Sequence, residues 1–484
     1  MLLRHTLLYL PAQILAPLAQ FVAAVVWTHW LSPEAYGVLT FLVAAQDLVF
    51  VLCLSWWSSF CLRYFAGFGR GELDDYRRGE ATVLVMTVAF GAVASLVLLA
   101  YLNLLHDMRL VIVATVFMTS RSMNIHFAER SRAQERILDY TVAQTAGPVF
   151  GFALSLLAIR FFDTAPMTML AGFAVAQSVA AIWLCRRLKV ELSFQRPDAT
   201  MIRRALAYGL PTVAGSALGW ISLNAVRFVA QQMGGDAAMG LLAVGWSLGQ
   251  RLAGVTAMLV TAAAYPLVVR RLATHSKAEA MRQFGAGGTL LFALVAPAAA
   301  GLWLVSPLLV DMIVAEPFRP TTLAILPAAI LTGAIRNVRV HYADQSFLLF
   351  EQTKYTVVVN AVEAVAVILL SVSGYRWHGL PGAVEGCLAA TALVALGAFA
   401  FARWRFGLPL RLVDWGRIAL GTAIMCVSVG AAQGIGGPEW MRLVVQIGVG
   451  ALTYALALAI LFFRQTRDWH SQWQAPPQSL GVRR

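Results

Sequence analysis

The segment RSMNIHFAERSRAQERILDYTV, residues 121–142, is written a second time as RNVRVHYADQSFLLFEQTKYTV, residues 336–357. The offset is 215 residues, without a gap, and seven of the 22 positions are identical: Arg121/Arg336, His126/His341, Ala128/Ala343, Ser131/Ser346, and Tyr140-Thr141-Val142 against Tyr355-Thr356-Val357. Phe127/Tyr342, Glu129/Asp344 and Ile125/Val340 keep their chemistry. A repeat of this period implies two structurally similar halves.

Composition says what the halves are made of. The chain has 484 residues, 59% of them hydrophobic and 13% charged, and a mean hydropathy of +0.71, far from soluble domains. Apolar runs long enough for a bilayer core of roughly 30 Å recur throughout, so the fold class is an all-α integral membrane protein. About 14 transmembrane helices fit, from a first span at about 6–31 to a last at about 440–463. The first is too long for a signal-peptide core and reads as an uncleaved helix.

The repeat continues outward: Leu10-Pro11 matches Leu210-Pro211, and Gln46-Asp47-Leu48 matches Gln250-Arg251-Leu252. Six helices per half give both halves the same orientation, hence a pseudo-two-fold axis along the membrane normal. The expected organisation is an N-lobe at 1–190, a cytoplasmic linker at 191–207 around Pro197-Asp198, a C-lobe at 208–410, two appended helices at 411–463 and a tail at 464–484. With both termini cytoplasmic, about 30 of the 37 Lys and Arg lie on that side. Five lie outside (Arg109, Arg160, Arg319, Arg376, Arg442) and two within spans (Arg227, Arg251), as the positive-inside rule requires. The net charge of +13 therefore follows topology and implies no nucleic-acid partner. The outer loops are short, leaving no extramembrane domain for an active site.

Leu31-Ser32-Pro33-Glu34-Ala35-Tyr36-Gly37, Arg63-Tyr64 and Tyr208-Gly209-Leu210-Pro211 resemble the polysaccharide or O-antigen flippases (Wzx-type) of the multidrug/oligosaccharidyl-lipid/polysaccharide exporter superfamily. The resemblance implies a MATE-like arrangement of two lobes around a cleft in the bacterial inner membrane. It also implies outward movement, by alternating access, of an undecaprenyl-pyrophosphate-linked oligosaccharide for O-antigen, capsule or exopolysaccharide synthesis. A glycan polymerase and a chain-length regulator are the implied partners, with H+ or Na+ as counter-ion. Where many members carry Asp-Arg near the end of helix 7, this chain has Val226-Arg227.

Such a substrate needs cations. Arg121 and Arg336, at equivalent places in the cytoplasmic halves of two helices, are expected to hold the phosphates, unless they only snorkel to the interface. Arg251 and Arg227 are further candidates for the cleft. His126 with Glu129, and His341 with Asp344, stand at i, i+3 on one helix face and read as a gating pair or a structural cap. Asp47 and Arg251 occupy matching mid-bilayer positions, where an unpaired charge is costly; they read as a bridge across the cleft or as a structural ion pair. Glu363 is similarly deep and is a coupling candidate. Trp27, Trp30, Trp56, Trp57, Trp220 and Trp246 are sugar platforms or interfacial anchors. The five cysteines lack metal spacing, and no phosphate-cradling loop or hydrolase motif occurs. No metal, cofactor or enzymatic chemistry is expected. The rival functions are a cation-coupled multidrug exporter of the MATE type and, further off, a membrane glycan polymerase or ligase.

Overall fold

A computed structural model describes residues 2–191, 198–274 and 276–463, with side chains from Leu15 onward. Linker residues 192–197 and the tail from Arg464 lie outside the described residues. Every regular element among the described residues is helical. In order these are α1 (Leu2–Thr28), α2 (Pro33–Cys53), α3 (Ser55–Tyr64), α4 (Arg70–Tyr101), α5 (Met108–Ala133), α6 (Ile137–Thr145), α7 (Phe152–Ile159), α8 (Pro166–Arg187), α9 (Ala199–Thr274), α10 (Lys277–Ile313), α11 (Arg319–Val338), α12 (Asp344–Leu349), α13 (Lys354–Phe406), α14 (Leu412–Ala432) and α15 (Glu439–Leu461).

Local sequence explains where the helices begin and bend. Ser32 caps α2 by accepting from the Ala35 N–H, Pro33 supplies the fixed φ of the first turn, and Glu34 faces the positive end of the helix dipole. Asp107 caps α5 through the N–H groups of Arg109 and Leu110. Two π turns, Ala146–Gly151 between α6 and α7 and Arg339–Ala343 between α11 and α12, let the chain run on without breaking. The first has a visible cause. Pro148 has no N–H to return to the carbonyl of Gln144, so the α-ladder opens there.

Eleven helices among the described residues are long and apolar enough to cross a membrane, against the fourteen spans expected. Two of the eleven hold a non-helical point, α9 at Gly235 (φ 71°) and α13 at His378–Gly379 (φ 61° at the glycine). Each is long enough for two crossings. The first helix enters as a shorter apolar stretch, Leu15–Thr28.

The helices fall into two compact units, which divide the chain differently from the sequence repeat. The first comprises Met1–Gly245, Val314–Thr322 and Lys354–Ala390. Its core gathers Trp57, Phe60, Tyr76, Phe127, Leu184 and Met201. Gly37 on α2 and Gly240 on α9 allow backbones to touch: a Cβ on Gly37 would lie 2.0 Å from the Asp236 carbonyl oxygen, and one on Gly240 1.9 Å from that of Pro33. The second unit comprises Trp246–Ile313, Leu323–Thr353 and Thr391–Arg484. There the helices read as an appendage, α14 and α15, pack on each other and on α10. The Tyr454 hydroxyl donates to the Ala293 carbonyl at 2.6 Å, and Phe292 stacks on Trp415 with centroids 4.8 Å apart.

Candidate functional site: a polar cavity beside Arg121

In the first unit, α2 and α5 bring Gln46, Asp47 and Arg121 together. The Arg121 Nε donates to Gln46 Oε1 at 2.5 Å, and a terminal guanidinium nitrogen lies 3.6 Å from Asp47 Oδ1. Gln46, fully buried, passes the chain on from its amide nitrogen to the Ser122 hydroxyl at 3.3 Å. Asp47 thus has its cation within its own unit. Its side chain is 52% exposed and that of Arg121 23%, so the pair stands at the lip of the fold.

Beside it lies a cavity of about 60 Å³ lined by Ala16, Gln20, Arg121, Asn124, Ile125, Ala143, Gln144, Pro148 and Gln177. The floor is buried and the mouth is open: Asn124 and Gln177 are each 2% exposed, Gln144 is half-buried and Gln20 exposed. Asn124 donates to the Gln177 carbonyl at 2.8 Å and also to its side-chain oxygen. Its own Oδ1, though buried, has no partner among the described residues. Gly147 in the π turn makes room for this floor, since a Cβ there would meet the Gln177 amide nitrogen at 1.7 Å.

The twice-written histidine lies on the same helix, one turn on. Both nitrogens of His126 are engaged, Nδ1 with the Ser58 hydroxyl at 2.9 Å and Nε2 with Glu80 Oε1 at 2.9 Å. Glu80 on α4 also accepts from the Tyr76 hydroxyl at 3.2 Å and from Arg130. Arg130 donates to the Leu188 carbonyl at 3.1 Å and lies over the rings of Phe65 and Tyr76. The expected His126–Glu129 pairing is therefore corrected. The carboxylate partner of His126 is Glu80, whereas Glu129 turns outward to Arg132 at 3.0 Å. A long-range partner on α4 offers full burial, and the local i, i+3 geometry does not.

The second copy is corrected in the same way. His341 Nδ1 meets the Thr261 hydroxyl at 2.9 Å, while Asp344 pairs with the buried Arg339 at 3.4 Å. His341 lines a smaller cavity of about 20 Å³, with Tyr265, Phe284, Gly288, Leu291 and Tyr342 among its neighbours and no acid in its wall. Arg336, on α11, is half-buried and belongs to the second unit, as does Arg251 on α9. Arg227 and the fully buried Glu363 belong to the first unit. Of the tryptophans, Trp57 and Trp246 are core residues at 0% and 2% exposure and offer no face to a sugar.

A family model described as polysaccharide biosynthesis protein matches residues 2–271, more than half of the chain. The chain belongs to this family. No curated protein sequence matches it. Among solved structures, the chain is similar to the lipid II flippase MurJ in an inward closed conformation. The TM-score is 0.73 at 13% identity, covering 96% of this chain and 100% of the other. It is also similar to a multidrug resistance MATE family transporter of the MOP superfamily in an inward-facing conformation, with TM-score 0.59, 15% identity and coverage of 83% and 98%. A Vibrio cholerae MATE transporter variant gives TM-score 0.54, 15% identity and the same coverage. At these identities the likeness is one of fold, and the fold is that of multi-pass membrane flippases and transporters.

Sequence reading missed Glu80, Arg130 and the amides Gln20, Asn124, Gln144 and Gln177. A signal was available. Carboxamides and a carboxylate inside apolar helices are costly in lipid and mark places where polar groups gather.

Proposed function

We propose that the protein is a flippase that carries undecaprenyl-pyrophosphate-linked oligosaccharide units from the cytoplasmic to the periplasmic leaflet of the bacterial inner membrane. The observation that carries this reading is the Arg121 cavity. It places a guanidinium and four carboxamides around an opening within apolar helices, in a chain of a polysaccharide biosynthesis family with a flippase fold. A lipid-linked glycan needs this combination: a cation for phosphate, amides for hydroxyls, and an apolar exterior that leaves the lipid tail in the bilayer.

In this reading Arg121 and its repeat counterpart Arg336 hold the pyrophosphate, with Arg227 and Arg251 along the path. The lobes at 1–190 and 208–410 alternate access, and Asp47, Glu363, His126, Glu129, His341 and Asp344 belong to gating or to coupling with H+ or Na+. Both termini face the cytoplasm, a polymerase and a chain-length regulator receive the glycan, and no bond of the substrate is broken. The test is export of surface glycan by a strain whose only copy is Arg121→Gln/Arg336→Gln. Export lost at normal protein level supports the phosphate role; intact export refutes it. The half-exposed Asp47 favours a second reading, a cation-coupled multidrug exporter, because such an exporter needs an accessible acid. Energised efflux of cationic dyes by proteoliposomes, unaffected by lipid-linked glycan, would select that reading.

A further inference from the structure

We infer that the cavity beside Arg121 is a subsite for one neutral polar substituent, a hydroxymethyl or acetamido arm, of the sugar next to the pyrophosphate. The inference rests on the flippase reading and assigns chemistry to a different part of the same site.

Two features of the cavity weigh against the phosphate itself. Arg121 is the one charged residue in the wall, and two of its nitrogens are already turned to Gln46 and Asp47. An anion inside would therefore meet a cation that the Asp47 carboxylate has partly neutralised. The remaining polar wall is Gln20, Asn124, Gln144 and Gln177. Each carboxamide offers both a carbonyl acceptor and an N–H donor, which matches a hydroxyl or an amide and gives no preference for charge. Size allows it: about 60 Å³ is several times the ~10–15 Å³ that a single water needs, room enough for such an arm.

The floor is built for a ligand that can donate. Asn124 is 2% exposed, its N–H groups are taken by Gln177, and its Oδ1 is left as a buried acceptor without a partner. Such an orphan is costly until something donates to it. The π turn makes room for the Gln177 side chain at Gly147, and its Pro148 lines the cavity. The mouth is polar too: Gln20 stays exposed within the apolar stretch Leu15–Thr28, a position that disfavours lipid and favours an aqueous or ligand-filled opening. Arg121 stands at the lip, so a phosphate on its outer face would put the attached sugar at the opening.

The experiment uses the full-length protein in nanodiscs. Three probes compete for binding: undecaprenyl pyrophosphate, the same lipid bearing one N-acetylglucosamine, and the same lipid bearing one glucose. The wild type is expected to bind at least one sugar-bearing probe about tenfold more tightly than the bare lipid. Gln144→Leu and Gln20→Leu, at the mouth and clear of the buried Asn124–Gln177 floor, should each shrink that preference by about three- to tenfold while leaving the affinity for the bare lipid unchanged. Equal wild-type affinity for all three probes, or variants that weaken bare and sugar-bearing lipid alike, overturns the subsite while leaving the flippase reading in place. Failure of every probe to bind the wild type removes the flippase reading itself.

Discussion

Replacing Glu80 by Leu tests whether the buried cluster holds the first unit together. Its carboxylate is 0% exposed and the paired Arg130 side chain 2%, so the variant leaves a guanidinium in the core without its anion. Breaking a buried ion pair from one side costs about 3–5 kcal/mol. Arg130 keeps its bond to the Leu188 carbonyl and its places over Phe65 and Tyr76, contacts that offset part of the loss, so we expect the lower end, about 3 kcal/mol. His126 and Tyr76 each lose one hydrogen bond as well, which keeps the figure from falling further. Glu80→Gln retains an acceptor and should cost about half as much. The double variant Glu80→Leu/Arg130→Met removes both charges and should be more stable than the sum of the single changes, by about 2 kcal/mol. The assay is unfolding in mixed micelles by rising SDS mole fraction, followed by circular dichroism. If Glu80→Leu unfolds within about 0.5 kcal/mol of wild type, or if the two changes simply add, the cluster is not a coupled charge pair and the reasoning fails.

Three further outcomes follow from the geometry. Gly37→Ala forces a methyl against the Asp236 carbonyl and should cost about 1–3 kcal/mol in the same titration; an unchanged midpoint would mean that the α2–α9 contact is not close. Arg204→Gln removes an ion pair to Glu72 whose side chains are about half exposed, 49% and 47%, and should change stability by less than about 1 kcal/mol. Pro148→Ala returns an N–H to the ladder and lets the π turn relax into α-helix. We expect loss of the sugar-dependent part of lipid affinity with no fall in stability, and unchanged sugar preference would detach the π turn from the cavity.

The parts of the fold that were legible in sequence are those set by single-segment physics. Apolar length gives membrane-spanning helices, and the twice-written stretch marks equivalent segments whose histidines both bond a hydroxyl at 2.9 Å. What escaped was the choice of partner. His126 and Glu129 are near neighbours on one helix, and proximity in sequence suggested a pair. In a membrane bundle a buried imidazole needs a buried partner, and only the packing of α4 on α5 reveals that Glu80 is there. The cavity escaped for a related reason: its carboxamides come from four segments spread between Gln20 and Gln177, and each alone looks like an ordinary polar residue. Gln46 was seen only as a mark of the repeat, although it is the residue that orients Arg121.

The two copies differ where it matters for movement. α4 gives His126 a carboxylate, and Arg130 completes the charge; at the position repeat-equivalent to Arg130 the second copy has Gln345, and α10 presents Phe284, Gly288 and Leu291 to His341. One histidine is locked between a hydroxyl and an acid, while the other bonds the Thr261 hydroxyl and, with it, lines a small void. A side chain with empty space beside it can change rotamer at little cost, whereas one held by two buried hydrogen bonds cannot. His126→Leu should therefore lower stability by about 2 kcal/mol through the two lost bonds. His341→Leu should stay within about 1 kcal/mol, because the apolar side chain fills the void as it gives up the Thr261 bond. If either histidine serves gating, it is His341, and its Leu variant should slow glycan export at normal protein level while His126→Leu lowers export only in proportion to the protein that remains folded. The reverse pattern, a stable but inactive His126→Leu beside a fully active His341→Leu, would show that the locked copy is the moving one and that burial has been misread as rigidity.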